Sequence, residues 1–378
     1  MSLEQLLRRT WSDNRLFSVL VELTYRCNLD CFFCYNDLGL RGTPLTLEQY
    51  GDFFADLRDL QVLNLTLSGG EPLAHPDFLR LGARARELGF VLRIKSNGHA
   101  LRGNMARRIR DEIDPFLIEI SLHGATAAVH DRQTREPGSF ERLLANLGEL
   151  RGLGLRVKLN STLTAWNEHE IAAMMALADR LQLPLQVDPE VTPRDDGGRE
   201  PLSIAPSRAG VRRLFELLAE RAAAARDTSQ PEVAALRLAD DGLAPAAAGK
   251  HCGAGSSGIA VDPYGNVYPC VQWRRPVGNL HQRSIRDIWA SSAGLAEVRA
   301  LTVAAKTMVD GYGEAGALLN FCPGSAASWS GDPLQVYPAA QSRMELAQQA
   351  LAAPTALPTL PPNTGKPARR PLLPVLPS

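Results

Sequence analysis

The sequence predicts an α/β fold: a partial, open (β/α)6 barrel of TIM-like type, followed by a small C-terminal α+β domain. Three observations predict it. Six apolar, β-rich runs alternate with amphipathic stretches between about Phe17 and Pro189, and serial βα units imply a parallel sheet, because parallel neighbours need crossover helices. The texture changes near residue 247, where a glycine-rich entry leads into a hairpin-like run. The six cysteines fall into two sets of three, Cys27, Cys31 and Cys34 near the start and Cys252, Cys270 and Cys322 in the last third.

The predicted strands are FSVLVELT (17–24), VLNLTLS (62–68), FVLRIKS (90–96), FLIEISLH (116–123), RVKLNSTL (156–163) and LPLQVDP (183–189). Between them, LTLEQYGDFFADLRDL (45–60) and GSFERLLANLGELRGLG (138–154) carry helical spacing. Six units without a break fit an open barrel better than a flat sheet. The Pro-, Gly- and charge-rich stretch 190–206 reads as a linker or a loop lining the site. A helix over 207–226 follows, then the hairpin SSGIAVDPYGNVYPC (256–270) and a helix over 285–301. The expected divisions are an N-terminal segment (1–16), the barrel (17–190), a linker and bridging helix (191–246), the C-terminal domain (247–340) and a proline-rich tail (341–378). The tail lacks periodicity from Ala352 to Ser378, so disorder or extended polyproline II is expected there.

Composition sets limits on function. The chain has 378 residues and is 45% hydrophobic, enough for one large domain and a smaller one. Lys plus Arg equals Asp plus Glu at 41 each, so bulk electrostatics point to no nucleic-acid partner. No apolar run is of membrane-spanning length and the N-terminus lacks signal-peptide shape, so no membrane partner and a cytoplasmic location are expected. Thiols in that reducing compartment serve as ligands or catalysts more often than as disulfides.

The first strand ends at Thr24 and runs into YRCNLDCFFCYN, a C-x3-C-x2-C loop. Ligands of βα folds sit at this C-terminal edge of the strands. Three thiolates on one short loop fit two metal centres. A structural zinc site wants a fourth ligand, and no Cys or His lies nearby. A [4Fe–4S] cluster held by three thiolates leaves one iron open. Spacing alone does not choose between them.

With Phe33 before the third cysteine, the loop resembles the signature of the radical S-adenosylmethionine (SAM) superfamily. Further likenesses follow in order: Ser68-Gly69-Gly70-Glu71-Pro72 after strand two, Lys95-Ser96-Asn97-Gly98 after strand three, Ser121-Leu122-His123-Gly124 after strand four and Asn160-Ser161-Thr162 on strand five. The resemblance covers 17 to about 190. It implies that Cys27, Cys31 and Cys34 hold a SAM-binding [4Fe–4S] cluster and that SAM is cleaved to a 5′-deoxyadenosyl radical. By the same resemblance Gly69 and Gly70 let the backbone approach SAM, Glu71 accepts from its ammonium, the backbone at Phe33 contacts adenine, and Ser96, Asn97, Ser121 and Asn160 are ribose or carboxylate contacts. Each also has a plain structural reading: a tight turn for the glycines, a solvated carboxylate for Glu71, packing for Phe33, and helix caps for the other four. His123 and His130 lie near this region and are given no role; no catalytic acid or base is assigned.

The segment from Cys252 through Cys270 to VQWRRPVGNLHQRSIRDIW resembles the SPASM domain, an extension that carries auxiliary iron–sulfur clusters. The DPYGN turn explains Gly265 by its tolerance of positive φ. Buried small hydrophobes are the alternative reading of the two cysteines. The likeness then breaks down. In GYGEAGALLNFCPGSAASW, Gly313 and Gly316 stand where the first two cysteines of the pattern belong, Cys322 stands at the third, and Ala326 replaces the fourth. At most one auxiliary cluster is expected, on Cys252, Cys270 and Cys322, with His251 the adjacent candidate for a fourth ligand.

The resemblance implies a maturation enzyme that takes hydrogen from a peptide or protein and makes a cross-link, oxidation or epimerisation. Sulfatase maturation is disfavoured, because Val271 rather than an aspartate follows Cys270. The alternatives are oxidation or rearrangement of a small molecule such as a sugar or cofactor precursor, and a non-catalytic iron–sulfur scaffold. Fewer than twenty residues precede strand one, so a separate peptide-recognition protein is an expected partner, beside a flavodoxin- or ferredoxin-type reductant.

Overall fold

The computed structural model describes residues 3–37, 39–226 and 249–352. Residues 353–378 of the expected tail and 227–248 of the linker lie outside the described residues. The first part of that tail, from 341, is instead helical: it belongs to helix Pro338–Ala352, whose Leu346 is fully buried against Val211 and Leu214 of helix Arg208–Arg226.

Each of the six runs forms a strand inside its expected bounds: β1 Ser18–Glu22, β2 Asn64–Ser68, β3 Val91–Ser96, β4 Leu117–Ser121, β5 Val157–Thr162 and β6 Leu185–Asp188. They pair in parallel in chain order, with Ser18 opposite Asn64 and Ser121 opposite Asn160. The core lies between this sheet and the crossover helices. Val19, Val21, Leu65, Leu67, Ile94, Ile118 and Ile120 are fully buried against Phe54 and Leu57 of helix Leu47–Asp59, Leu81 of helix Phe78–Glu87 and Leu143 and Leu147 of helix Ser139–Gly152. The first crossover helix starts on a capping box. Thr46 Oγ1 accepts from the Gln49 N–H at 3.2 Å, and Gln49 Oε1 accepts from the Thr46 N–H at 2.9 Å, a cap that contributes about 0.5–2 kcal/mol.

The hairpin forms as β7 (Gly258–Val261) and β8 (Asn266–Tyr268), joined by a short β9 (Gly278–Asn279). It continues the barrel sheet. β7 lies on the free side of β1 and runs parallel to it, with Ser18 opposite Gly258. Among the described residues the sheet has nine strands in the order β6-β5-β4-β3-β2-β1-β7-β8-β9 and stays open at both ends. The two cysteine-bearing segments are therefore joined through one hydrogen-bonded sheet. The helix expected over 285–301 is two helices, Ile285–Ser291 and Ala293–Asp310. Ser292 breaks it: its backbone is extended, and its hydroxyl donates to the Val277 carbonyl at 2.6 Å and accepts from the Leu295 N–H. Serine side chains compete in this way with helix continuation.

Candidate functional site

Loops leaving the C-terminal ends of β1 to β6 enclose a cavity of about 630 Å³. Cys27, Cys31 and Cys34 all line it, from the loop after β1. All six thiols of the chain are free. Burial is the main influence on the three loop thiols: it raises Cys27, raises Cys31 strongly, and pushes Cys34 up to about 11. Loading a metal centre on this loop must therefore release protons. Among the described residues no three His, Cys, Asp or Glu side chains are drawn together as a single ion requires.

The loop is held by the turn after β2. Gly69 has φ +134°, and a Cβ there would stand 2.3 Å from the Thr24 carbonyl oxygen. A Cβ on Gly70 would stand 2.6 and 2.7 Å from the carbonyl oxygens of Arg26 and Tyr25. The Gly70 N–H donates to the Thr24 carbonyl at 2.7 Å, and the Glu71 N–H to that of Arg26 at 2.9 Å. The close approach that the glycines allow is thus between the two loops themselves, and both glycines also line the cavity. Asn36 Nδ2 adds a bond to the Gly69 carbonyl at 3.2 Å.

Glu71 is 2% exposed and stands outside the set of residues lining the cavity. Its carboxylate accepts from the Ser96 hydroxyl at 2.9 and 3.1 Å, the Asn97 N–H at 2.8 Å and the Leu73 N–H at 3.2 Å. Those contacts occupy the lone pairs of a carboxylate. Burial raises its pKa while these donors oppose the rise. In this arrangement Glu71 ties the β2 and β3 loops together. Ser96 in turn accepts from the Gly98 N–H at 3.0 Å. Asn97 lines the cavity beside Cys27, its Nδ2 donating to Asn28 Oδ1 at 2.8 Å and lying 3.8 Å from the Cys27 sulfur.

Phe33, Ser96, Ser121 and Asn160 also line the cavity. The Phe33 ring meets His123 edge-on with centroids 4.7 Å apart. Asn160 Nδ2 donates to Glu119 Oε2 at 2.8 Å, and Lys95 pairs with the same oxygen at 3.1 Å. Burial alone would raise Glu119; Lys95, Asn160 and Arg93 outweigh it and hold the carboxylate below its ordinary range. His123 and His130 stack with their rings 22° apart. Burial holds His123 down to about 3 and His130 to about 4, so both imidazoles are neutral near pH 7. His130 Nδ1 accepts from the His123 backbone N–H at 3.1 Å, which fixes that nitrogen as unprotonated.

Five cavity residues outside the sequence-predicted set carry the strongest sign of a missing ligand. Asn36 Oδ1, His123 Nδ1, Ser161 Oγ, Glu190 Oε1 and Arg194 Nε are buried without a hydrogen-bond partner, and buried polar atoms in folded proteins normally have one. Asn36 and Ser161 stand inside motifs already notable in the sequence, YRCNLDCFFCYN and Asn160-Ser161-Thr162, where a polar side chain flanking a ligand is the available signal. Three free thiols on one rim and unsatisfied polar atoms on the walls fit a cluster with a polar small molecule beside it.

The second cysteine set also comes together. Cys252 and Cys270 pack against Ala254, Trp273, Val298 and Ala327. Cys322 caps helix Pro323–Ser330, its sulfur accepting from the Ser325 N–H at 3.4 Å, and it lines the same cavity as the first set. Burial pushes Cys252 up to about 12, and the nearby Cys322 adds to the rise. His251 is occupied elsewhere, with Nε2 2.7 Å from the Phe321 carbonyl oxygen.

The family model for the radical SAM superfamily matches residues 21–178, and that for the SPASM iron–sulfur cluster-binding domain matches 252–309. The chain is 31% identical over 285 residues to the mycofactocin maturase MftC of Mycobacterium ulcerans, covering 74% of this chain and 75% of that one. It is 29% identical over 287 residues to the PqqA peptide cyclase of Ruegeria pomeroyi, at 73% and 74% coverage. It is 30% identical over 307 residues to the pre-heme d1 synthase of Dinoroseobacter shibae, at 74% and 75% coverage. In fold it resembles native anSMEcpe with bound AdoMet and Cp18Cys peptide, with a TM-score of 0.64 at 17% identity, covering 89% of this chain and 96% of that one.

Proposed function

The chain belongs to the radical SAM superfamily, and from that premise we propose that it is a maturation enzyme that takes hydrogen from a peptide or protein substrate, installing a cross-link, an oxidation or an epimerised centre. It is an enzyme of SAM and iron–sulfur chemistry, which sets aside the non-catalytic scaffold. The observation that carries the peptide reading is the likeness, over about three quarters of each chain, to a peptide cyclase and a maturase.

In this reading Cys27, Cys31 and Cys34 would hold the cluster, which would supply the electron for reductive cleavage of SAM. The residues of the chain bind, orient and exclude water. Gly69 and Gly70 seat the cysteine loop by bringing the β2 turn against Thr24–Arg26. Glu71 fixes Ser96 and Asn97 at the mouth of β3. Asn97, Ser121 and Asn160 offer polar contacts to the ribose and carboxylate of SAM, with Phe33 beside the adenine. Asn36, His123 and Ser161 supply hydrogen-bonding atoms still open. His123 and His130, neutral near pH 7, add no cation of their own to the cavity wall.

A flavodoxin- or ferredoxin-type reductant and a separate peptide-recognition protein complete the proposal, with the reaction in the cytoplasm. Among the described residues no helix is long and apolar enough to cross a membrane. A second reading, modification of a small cofactor precursor, is favoured by the likeness to pre-heme d1 synthase. The two are separated by adding a leader-bearing precursor peptide to the reduced, reconstituted enzyme with SAM. The peptide reading expects retention of the peptide in a pull-down and a change in its mass. A peptide that is neither retained nor altered, beside turnover of a tetrapyrrole or sugar, contradicts it.

A further inference from the structure

Resting on the radical SAM reading of the cavity, we propose that Glu190, with Asp188 beside it, selects the substrate: its open carboxylate oxygen receives an N–H or O–H donor of the substrate (an amide, an amine or a hydroxyl) and turns carboxylates and phosphates away.

The first support is the strand that ends the sheet. Every even position from Gln186 through Asp188, Glu190 and Thr192 to Arg194 lines the cavity. Leu185 and Val187 instead pack on the apolar cluster of Leu163, Met175 and Leu214. Side chains two apart share one face of an extended chain. β6 therefore lays a polar stripe on the cavity wall and carries it past the end of the strand. Asp188 Oδ1 accepts from the Glu190 N–H at 2.9 Å, which sets the two residues side by side. The residues read as SAM contacts come from β5 and from the loops after β1 to β4, and none lies on this stripe.

The second support is how Glu190 is held. Its Oε2 pairs with Arg343 at 2.7 Å and accepts from the Tyr337 hydroxyl at 3.1 Å. Arg343 also donates to the Tyr337 oxygen at 3.1 Å, and Trp329 stacks on Tyr337 with the rings 11° apart. Both anchors are buried. All these contacts fall on one oxygen, and Oε1 is buried with no partner. An ionised carboxylate only accepts hydrogen bonds, and the charge of Arg343 favours that form against the effect of burial. A buried acceptor without a donor is unfavourable. A substrate N–H or O–H relieves that cost through a charge-assisted hydrogen bond.

The third support is the sign of the wall. Among the described residues, Asp30, Glu119, Asp188 and Glu190 line the cavity against the cations Lys95 and Arg194. Lys95 is taken by Glu119 at 3.1 Å. An anionic group arriving at the stripe meets the carboxylates of Asp188 and Glu190, and Arg343 is already engaged with Glu190. Further along, Arg194 Nε is the buried donor still open. A peptide chain presents N–H and C=O in alternation, which suits an acceptor at Glu190 and a donor at Arg194.

Two measurements test the proposal on the full-length, reconstituted protein. In the first, crystals of the SAM-loaded wild type are soaked in guanidinium, a planar donor, and separately in acetate, a planar acceptor. Guanidinium should appear against Glu190 Oε1 and acetate should not. Acetate at Glu190, or no guanidinium there, overturns the proposal. The second is steady-state kinetics with the leader-bearing precursor peptide, or with the tetrapyrrole or sugar if that is what the wild type converts. Asp188→Asn keeps the oxygen that accepts from the Glu190 N–H and turns an NH2 group to the cavity. Glu190→Gln/Arg343→Gln does the same at position 190 and strands no buried charge. Each should raise the substrate KM about tenfold or more, the worth of a hydrogen bond to a charged group, with a smaller rise in the KM for SAM. An unchanged substrate KM in both variants overturns the proposal, and equal rises for substrate and SAM assign the stripe to SAM and overturn it too. Should the double variant fail to fold by circular dichroism, Asp188→Asn decides. The soaks need no turnover, so failure of the radical SAM reading shows separately, as a loaded wild type that releases no 5′-deoxyadenosine.

Discussion

The guanidinium of Arg274 grips the carboxylate of Glu22 in a bidentate pair, Nη1 to Oε2 at 2.9 Å and Nη2 to Oε1 at 2.6 Å. Glu22 ends β1 just before the first cysteine loop, and Arg274 follows Cys270 by four residues. Arg274 Nε also lies 2.8 Å from Asp195, and Tyr25 donates to Glu22 Oε2 at 3.0 Å. The pair is deeply buried, with side-chain exposures of 10% and 0%. It fastens the segment carrying the second cysteine set to the root of the loop carrying the first.

Removing one partner of a buried pair leaves the other charge uncompensated, which costs about 3–5 kcal/mol. Arg274→Ala should lower the unfolding free energy by that amount in urea titration, because both Glu22 and Asp195 lose their cation. A loss below about 1 kcal/mol would show the pair to be solvated.

Glu71→Ala strands the Asn97 and Leu73 N–H groups and the Ser96 hydroxyl. Each unsatisfied buried donor costs about 1–3 kcal/mol. The variant should lose stability and also SAM affinity, since Asn97 is placed by this carboxylate. Calorimetric titration with SAM checks the second half. Full stability with weakened binding would mean that Glu71 acts on SAM alone.

Gly70→Ala drives a methyl against the Tyr25 and Arg26 carbonyls, so it should displace the cysteine loop and lower its iron content after reconstitution. Gly148→Ala is the matched control. It lies inside helix Ser139–Gly152 with nothing within 4 Å of the new Cβ, and should stabilise the protein by about 0.5–1 kcal/mol with iron unchanged. Equal iron in both variants would remove the seating role of the glycine turn.

The stacked histidines predict an acid weakness. Burial depresses both folded pKa values, to about 3 for His123 and about 4 for His130, from an ordinary 6.5. Below pH 6.5 the unfolded chain binds protons that the folded chain does not, so stability is complete above 6.5 and declines as pH falls toward 4. His130→Asn should flatten this decline in urea titrations of the metal-free protein at pH 7.5 and 5.5. An unchanged slope would place the acid sensitivity elsewhere.

Local pattern was enough for the six parallel strands, the crossover helices and the cysteine loop, because alternation and spacing report which residues face a core. What needs partners far apart in the chain was hidden. The parallel pairing of β7 with β1 joins residues more than two hundred apart, and nothing in Gly258–Val261 announces its neighbour. Glu71 reads as a solvated or SAM-facing carboxylate until Ser96 and Asn97, 25 and 26 residues on, are seen to fill its lone pairs. The bond from Ser292 to Val277, which divides one apparent helix into two, is equally invisible to helical periodicity. Among site residues, Asn97, Ser121 and Asn160 were legible as polar residues at strand ends and do line the cavity, whereas Asn36 and Ser161 stand out only once their partnerless atoms are placed.

The most direct test of the central claim is 5′-deoxyadenosine released from SAM under dithionite, measured for the reconstituted wild type and for Cys27→Ala/Cys31→Ala/Cys34→Ala. The wild type should release it and the variant none above background, even where the variant still holds iron at its second site. Equal release by both proteins, or none from a wild type carrying a fully loaded loop cluster, would contradict it.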